Sequence, residues 1–232
     1  MKPDKKRLEQ IEEFQNIIKY QFKEIDIINE ALTHSSYSNE YRGKYIYNNE
    51  RLEFLGDSVL STVISEYVYL KYSNLPEGEL TKIRANVVCE LSLARQAKSI
   101  DLGKYLLLGK GEEVTGGRDR ISILADTFEA VIGALYLDGG LETARKFILS
   151  MLKDSIELAS KGNLFRDYKT DLQELLQSKF DDKISYRVVG EIGPDHDKTF
   201  EIEVVLGDKV LGRGRGKSKK EAEQNAAKKA LD

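Results

Sequence analysis

The side chains best suited to chemistry in this sequence are carboxylates. Glu53 and Asp57 lie four residues apart, with Glu50 close by, in Asn49-Glu50-Arg51-Leu52-Glu53-Phe54-Leu55-Gly56-Asp57. On a helix, that spacing makes Glu53 and Asp57 neighbours on one face. A second pair, Asp126 and Glu129, is spaced i, i+3. Carboxylate oxygens are hard ligands. Four of them brought together suit Mg2+ or Mn2+, which keep waters and take phosphate oxygens to complete their shells. Spacing alone leaves a plainer reading open, that of two unrelated solvated pairs. Context favours burial: Leu52, Leu55 and Val59 make one side of the first segment apolar, and Leu60 and Ile64 continue the acidic face. A helix apolar on several sides is normally buried, where carboxylates are costly unless paired or bound to a cation. Gly56 removes a side chain where another element or a ligand can approach, and Ala125, Ala130, Gly133 and Ala134 give the second segment a small-residue surface.

The elements that must position these acids read as helices. Leu8, Ile11, Phe14 and Ile18 mark an amphipathic opener, and a long helix is expected from Glu50 to Tyr72, ending before Asn74 and Pro76. Further helices are expected over Leu80 to Ala97, Leu124 to Leu137 and Leu141 to Leu158, with Asp138-Gly139-Gly140 stopping the second of them. No long alternating strand pattern precedes Gly162, so the first domain reads as all-helical. After a polar connector, Ser160 to Asn163, the order changes. A helix over Tyr168 to Lys179 is followed by strands at Ser185 to Glu191, Thr199 to Leu206 and Lys209 to Gly214, with turns at Gly193-Pro194 and Gly207-Asp208. Ser218 and Glu221 form an S-x-x-E capping box that opens a last helix through Ala222, Ala226, Ala227 and Leu231.

Composition sets the frame. The chain has 232 residues, 41% hydrophobic and 32% charged, enough for a core and typical of a soluble protein. One cysteine, Cys89, rules out an internal disulfide framework and a cysteine-rich zinc cluster. Glu9, Glu12 and Glu13 follow the basic start, where a signal peptide places its apolar stretch, and no run approaches a membrane span; a cytoplasmic location is expected. The net charge of −3 does not announce a nucleic-acid partner, but its distribution says more. From Lys209 to Lys220 there are six basic residues and no acidic ones, although from Arg166 onward the chain has 14 of each sign. Gly212, Gly214 and Gly216 within that stretch would let backbone approach phosphate closely, and lysines at the start of the last helix would join its free N–H groups in a phosphate site.

The segment Asn49 to Leu60 is similar to the signature of the ribonuclease III family. Three further segments agree in the family's order: Ala31-Leu32-Thr33-His34-Ser35-Ser36-Tyr37, Pro76-Glu77-Gly78-Glu79-Leu80, and Gly117-Arg118 with Ser122 through Ala130. Lys217-Ser218-Lys219-Lys220-Glu221-Ala222, Gly193-Pro194-Asp195-His196 and Gln173-Glu174 resemble a double-stranded-RNA-binding domain, respectively its basic helix start, its minor-groove loop and its first-helix contacts. The resemblance covers nearly the whole chain. It implies an all-α ribonuclease III endonuclease domain over residues 7–158, a flexible linker over 159–165, and a small α+β (α-β-β-β-α) double-stranded-RNA-binding domain over 166–232.

It also implies roles. Glu53, Asp57, Asp126 and Glu129 would ligate a catalytic Mg2+, with Mn2+ as a substitute, and Asp57 and Glu129 would be the two whose loss does most damage. Glu50 and Glu77 match supporting acids. Gln173, Glu174, His196, Lys217, Ser218, Lys219 and Lys220 match RNA contacts. Phe54 matches the aromatic that plugs into the partner of a homodimer; an ordinary core position is its alternative. No small-molecule cofactor, membrane or catalytic histidine is implied, and His34 reads as structural. The expected reaction is hydrolysis of both strands of duplex RNA to 5′-phosphate and 3′-hydroxyl ends, in ribosomal RNA precursors and some structured messengers. Two sites related by two-fold symmetry would serve two strands. A non-cleaving RNA-binding or ribosome-associated protein on the same folds is the alternative, and a helical scaffold with a fortuitous acidic cluster is a third reading.

Overall fold

Two long helices form the centre of the N-terminal unit in the computed structural model: α4 (Glu50–Lys71) and α8 (Ile121–Gly139) pack along each other. The structure describes residues 3–40, 47–162, 164, 168–177, 184–194 and 198–231, and the chain divides into two units, Met1–Leu164 and Phe165–Asp232. Around the central pair stand α1 (Lys5–Ile18), α2 (Ile25–Ala31), α3 (Ser35–Glu40), α5 (Glu77–Val87), α6 (Glu90–Ser99), α7 (Lys110–Val114) and α9 (Leu141–Ser160). Short 3-10 turns occupy Leu102–Tyr105 and Gly117–Asp119. The helix α8 is buried on nearly every side from Ile123 to Leu135, and the interruptions are its two acids, Asp126 and Glu129, which are half-buried.

The single helix read over Leu80 to Ala97 is in fact two. Cys89 is extended (φ −70°, ψ 152°) between α5 and α6. A continuous helix would carry the inward face of Ile83 and Val87 on to Glu90. The extended residue resets the phase, so Leu93, Ala94 and Ala97 are buried and Glu90 stays in solvent. The helices α2 and α3, at 7 and 6 residues, are too short to leave a periodic signature and were not among the expected elements. Among the described residues of this unit, extended pairing is confined to a single parallel bridge, Thr33 with Leu107.

The C-terminal unit contains α10 (Tyr168–Gln177), a three-stranded antiparallel sheet of β1 (Ile184–Ile192), β2 (Thr199–Leu206) and β3 (Lys209–Gly216) in that order, and α11 (Lys219–Leu231). Leu172 and Leu176 of α10, Ile202 and Val204 of β2, and Ala222, Ala226 and Ala227 of α11 form its core. The period of two along β3 sorts its residues. Gly212, Gly214 and Gly216 lie opposite Val204, Ile202 and Phe200, on the face against α11. A Cβ on Gly214 would stand 2.1 Å from the Ala226 backbone nitrogen. These glycines therefore let a helix lie on the sheet; the phosphate-approach role read for them is overturned by that contact.

Candidate active site

The distance between α4 and α8 is set by two glycines. A Cβ on Gly56 would stand 1.8 Å from the Glu129 carbonyl oxygen, and one on Gly133 would stand 2.3 Å from that of Leu52. Only hydrogen fits at either position, so the backbones meet directly. The acids flanking the crossing are thereby brought together: Glu53, Asp126 and Glu129 each offer a carboxylate oxygen, and these lie within 4.8 Å of one another. All three residues are half-buried. Asp57, one turn beyond Glu53, is exposed and outside that group of three, although its charge acts on Glu129. Its Oδ1 accepts a hydrogen bond from Ser61 Oγ at 3.5 Å. Glu50 is also exposed, so burial of the whole acidic segment does not hold: the acids sit at the rim of a buried helix pair.

The electrostatics follow from this crowding. Burial, and then the negative charges of Asp57, Glu53 and Asp126, push the Glu129 carboxyl up to about 8. Glu53 is raised by burial and then by Asp126, Glu50 and Asp57. Asp126 is raised by burial and then by Glu90, with His34 acting in the opposite sense. Like charges crowded in partial burial favour the protonated form of each. Among the described residues, no lysine or arginine pairs with Glu53, Asp126 or Glu129. An all-oxygen donor set of like charge with no basic partner fits a hard divalent cation.

Glu90 and His34 both act electrostatically on Asp126, and sequence reasoning placed neither at this site. Glu90 opens α6 directly after the extended Cys89, and nothing in its local pattern signals that its charge acts on Asp126. The His34 Nδ1 is engaged by Ser36, whose backbone N–H donates to it at 3.2 Å and whose hydroxyl lies 2.8 Å away. Glu77, at the start of α5, is exposed, accepts the Thr81 hydroxyl at 2.8 Å and is not part of the group of three. Phe54 is 78% exposed, which removes its alternative as a core residue.

In the C-terminal unit, Ser218 Oγ accepts the Glu221 backbone N–H at 3.1 Å, and the Glu221 carboxylate reaches back to the Lys217 backbone N–H at 2.7 Å. The first bond has the usual S-x-x-E geometry, the return bond lands one residue before the cap, and together they fix the chain entering α11. Lys217, Lys219 and Lys220 are exposed at that start, with Lys219 Nζ over the Phe200 ring at 5.6 Å. The basic run is not one uniform patch, since Arg213 pairs with Glu203 and Arg215 with Glu201 across the sheet face opposite the helices. Gln173 is exposed on α10. The side chain of Glu174, and His196 altogether, lie outside the described residues.

Residues 24–156 match the family described as ribonuclease-III-like, and residues 168–232 match the double-stranded RNA binding motif. The chain is 58% identical to Ribonuclease 3 of Caldanaerobacter subterraneus subsp. tengcongensis over 92% of its length and 93% of that protein. It is 51% identical to Ribonuclease 3 of Clostridium tetani over 96% of its length and 94% of that protein. A solved nuclease domain of ribonuclease III from Campylobacter jejuni, studied for flexibility in a region involved in dimer formation, is 42% identical. It matches with a TM-score of 0.58 over 62% of this chain and 97% of that one. This chain belongs to the ribonuclease III family. Among the described residues, no helix is long and apolar enough to cross a membrane.

Proposed function

We propose that this protein is a metal-dependent endoribonuclease that hydrolyses both strands of double-stranded RNA, leaving 5′-phosphate and 3′-hydroxyl ends. The observation that carries the reading is the convergence of Glu53, Asp126 and Glu129 in a chain that also has a double-stranded-RNA-binding motif. Those three carboxylates would hold Mg2+, or Mn2+ in its place, and Asp57 would join them from the exposed side of α4. An ion held there would supply neutralisation of charge on the scissile phosphate and a lower pKa for the attacking water. Glu50 and Glu77 act as supporting acids at the rim. Residues 7–158 are assigned to the nuclease, 159–165 to a linker and 166–232 to the RNA-binding domain.

The lysines at the start of α11, the free N–H groups of that helix and its positive dipole end hold backbone phosphates. Gln173, Glu174, Ser218 and His196 complete the contact with a duplex read through its A-form shape and 2′-hydroxyls. One carboxylate set cuts one strand, so the working unit is a homodimer, with the exposed Phe54 seated in the partner. Ribosomal RNA precursors and structured messengers in the cytoplasm are the proposed substrates. The test is incubation with duplex RNA, an RNA–DNA hybrid and duplex DNA, each with and without Mg2+. Cleavage of the RNA duplex alone, and only with the metal, is the expected result. Binding without cleavage under all conditions would replace the enzyme with a binding protein.

A further inference from the structure

Beside the carboxylates lies a polar contact that the chemistry above does not use. Asn49 is 2% exposed and Thr127 is fully buried. The Asn49 amide Nδ2 donates to Thr127 Oγ1 at 3.3 Å, and that hydroxyl is already committed as a donor to the Ile123 carbonyl at 2.7 Å. Its oxygen can therefore only accept, which fixes the Asn49 side chain with its amino group toward α8. Asn49 is tied at two other points as well. Its backbone N–H donates to the Thr33 carbonyl at 2.9 Å, and its own carbonyl accepts the Glu53 N–H at 2.8 Å. One residue thus joins the first turn of α4, which presents Glu53, to the α8 segment lying between Asp126 and Glu129.

We propose that Asn49 and Thr127 are positioning residues whose buried hydrogen bond sets the register of the two carboxylate pairs for metal binding. The glycine contacts at Gly56 and Gly133 fix how far apart the helices stand. The Asn49–Thr127 bond adds a directional contact between the same two helices, next to the acids themselves. Ligand groups held in this way bind metal more tightly because less ordering remains to be done at binding. The inference rests on the reading of Glu53, Asp126 and Glu129 as metal ligands.

The test is calorimetric titration of the full chain with Mn2+ in the absence of RNA, with thermal unfolding of each variant in chelator as a check on folding. Thr127→Val keeps the shape and removes the acceptor; Thr127→Ser keeps the hydroxyl and removes a buried methyl. The proposal expects roughly fivefold weaker Mn2+ binding in Thr127→Val, the scale of one buried hydrogen bond, and near-native binding in Thr127→Ser. Asn49→Ala should match Thr127→Val, and the double variant should be no weaker than Asn49→Ala alone. Native affinity in Thr127→Val, a larger loss in Thr127→Ser than in Thr127→Val, or losses that multiply in the double variant would each overturn it, because a packing role produces that order. Failure of the unaltered protein to bind Mn2+ would instead overturn the metal-centre reading itself.

Discussion

Replacing Gly56 by alanine sets two physical effects against each other and gives them opposite signs. Gly56 lies in the interior of α4, where helix propensity alone favours alanine by about 1 kcal/mol. The added Cβ would stand 1.8 Å from the Glu129 carbonyl oxygen and 3.1 Å from the Gly133 nitrogen, both backbone atoms that cannot rotate away. Real Cβ contacts stay above 3.0 Å, so the helices must part by about 1.2 Å at the crossing. Overpacking of this kind costs about 1–3 kcal/mol, and a clash with backbone belongs at the upper end. The net effect is destabilisation by about 2 kcal/mol, a fall in Tm of about 4–8 °C for a unit of this size. The same retreat moves Glu53 away from Asp126 and Glu129, whereas metal–ligand distances tolerate only about 0.2 Å. The assay is thermal unfolding of the metal-free protein together with Mn2+ titration. Gly56→Ala should melt lower and bind the ion more weakly. An unchanged or raised Tm with native Mn2+ affinity would refute the claim that the glycine contact builds the site.

Other consequences can be measured directly. Folding raises the Glu129 carboxyl from its ordinary value of 4.5 to about 8, so its contribution to the metal-free fold is fully favourable below about pH 4.5 and is lost as pH rises toward 8. Metal-free Tm should fall across that window, and Glu129→Gln should lessen the slope; an identical slope in the variant would contradict the assignment. Replacing Lys217, Lys219 and Lys220 should weaken duplex-RNA binding across sequences and lower its salt slope by about one per lost phosphate contact, measured by titration at several salt concentrations. Unchanged affinity at moderate salt would remove the phosphate site from the start of α11. Phe54→Ala takes away a ring that is 78% exposed in a single chain and should shift the protein toward monomer in sedimentation experiments. A sedimentation profile indistinguishable from that of the native protein would exclude Phe54 as the dimer anchor.

What the sequence made legible divides along physical lines. The long helices and the three strands have periodicity, and their positions could be read from it. The break at Cys89 could not, because Ile83 and Val87 run into Leu91 without a glycine or proline to mark a stop. The four acids were visible as two pairs, but spacing could not say that Glu53 meets Asp126 and Glu129. That depends on Gly56 and Gly133 meeting across α4 and α8, a contact between residues 77 positions apart. The glycines of β3 misled in the other direction. Between arginines and lysines they look suited to phosphate, and only the register with β2 places them under α11. Asp57 shows the limit of a motif: its neighbour Glu53 enters the compact group of three, while Asp57 stands exposed beside it.

In the proposed division of labour, the carboxylates at the α4–α8 crossing do the cutting while the C-terminal unit does the holding. Glu129→Gln, assayed on one RNA duplex for both binding and cleavage in Mg2+, tests it most directly. The expected result is a bound and intact duplex, with affinity close to that of the unaltered protein. Cleavage at an undiminished rate would contradict it.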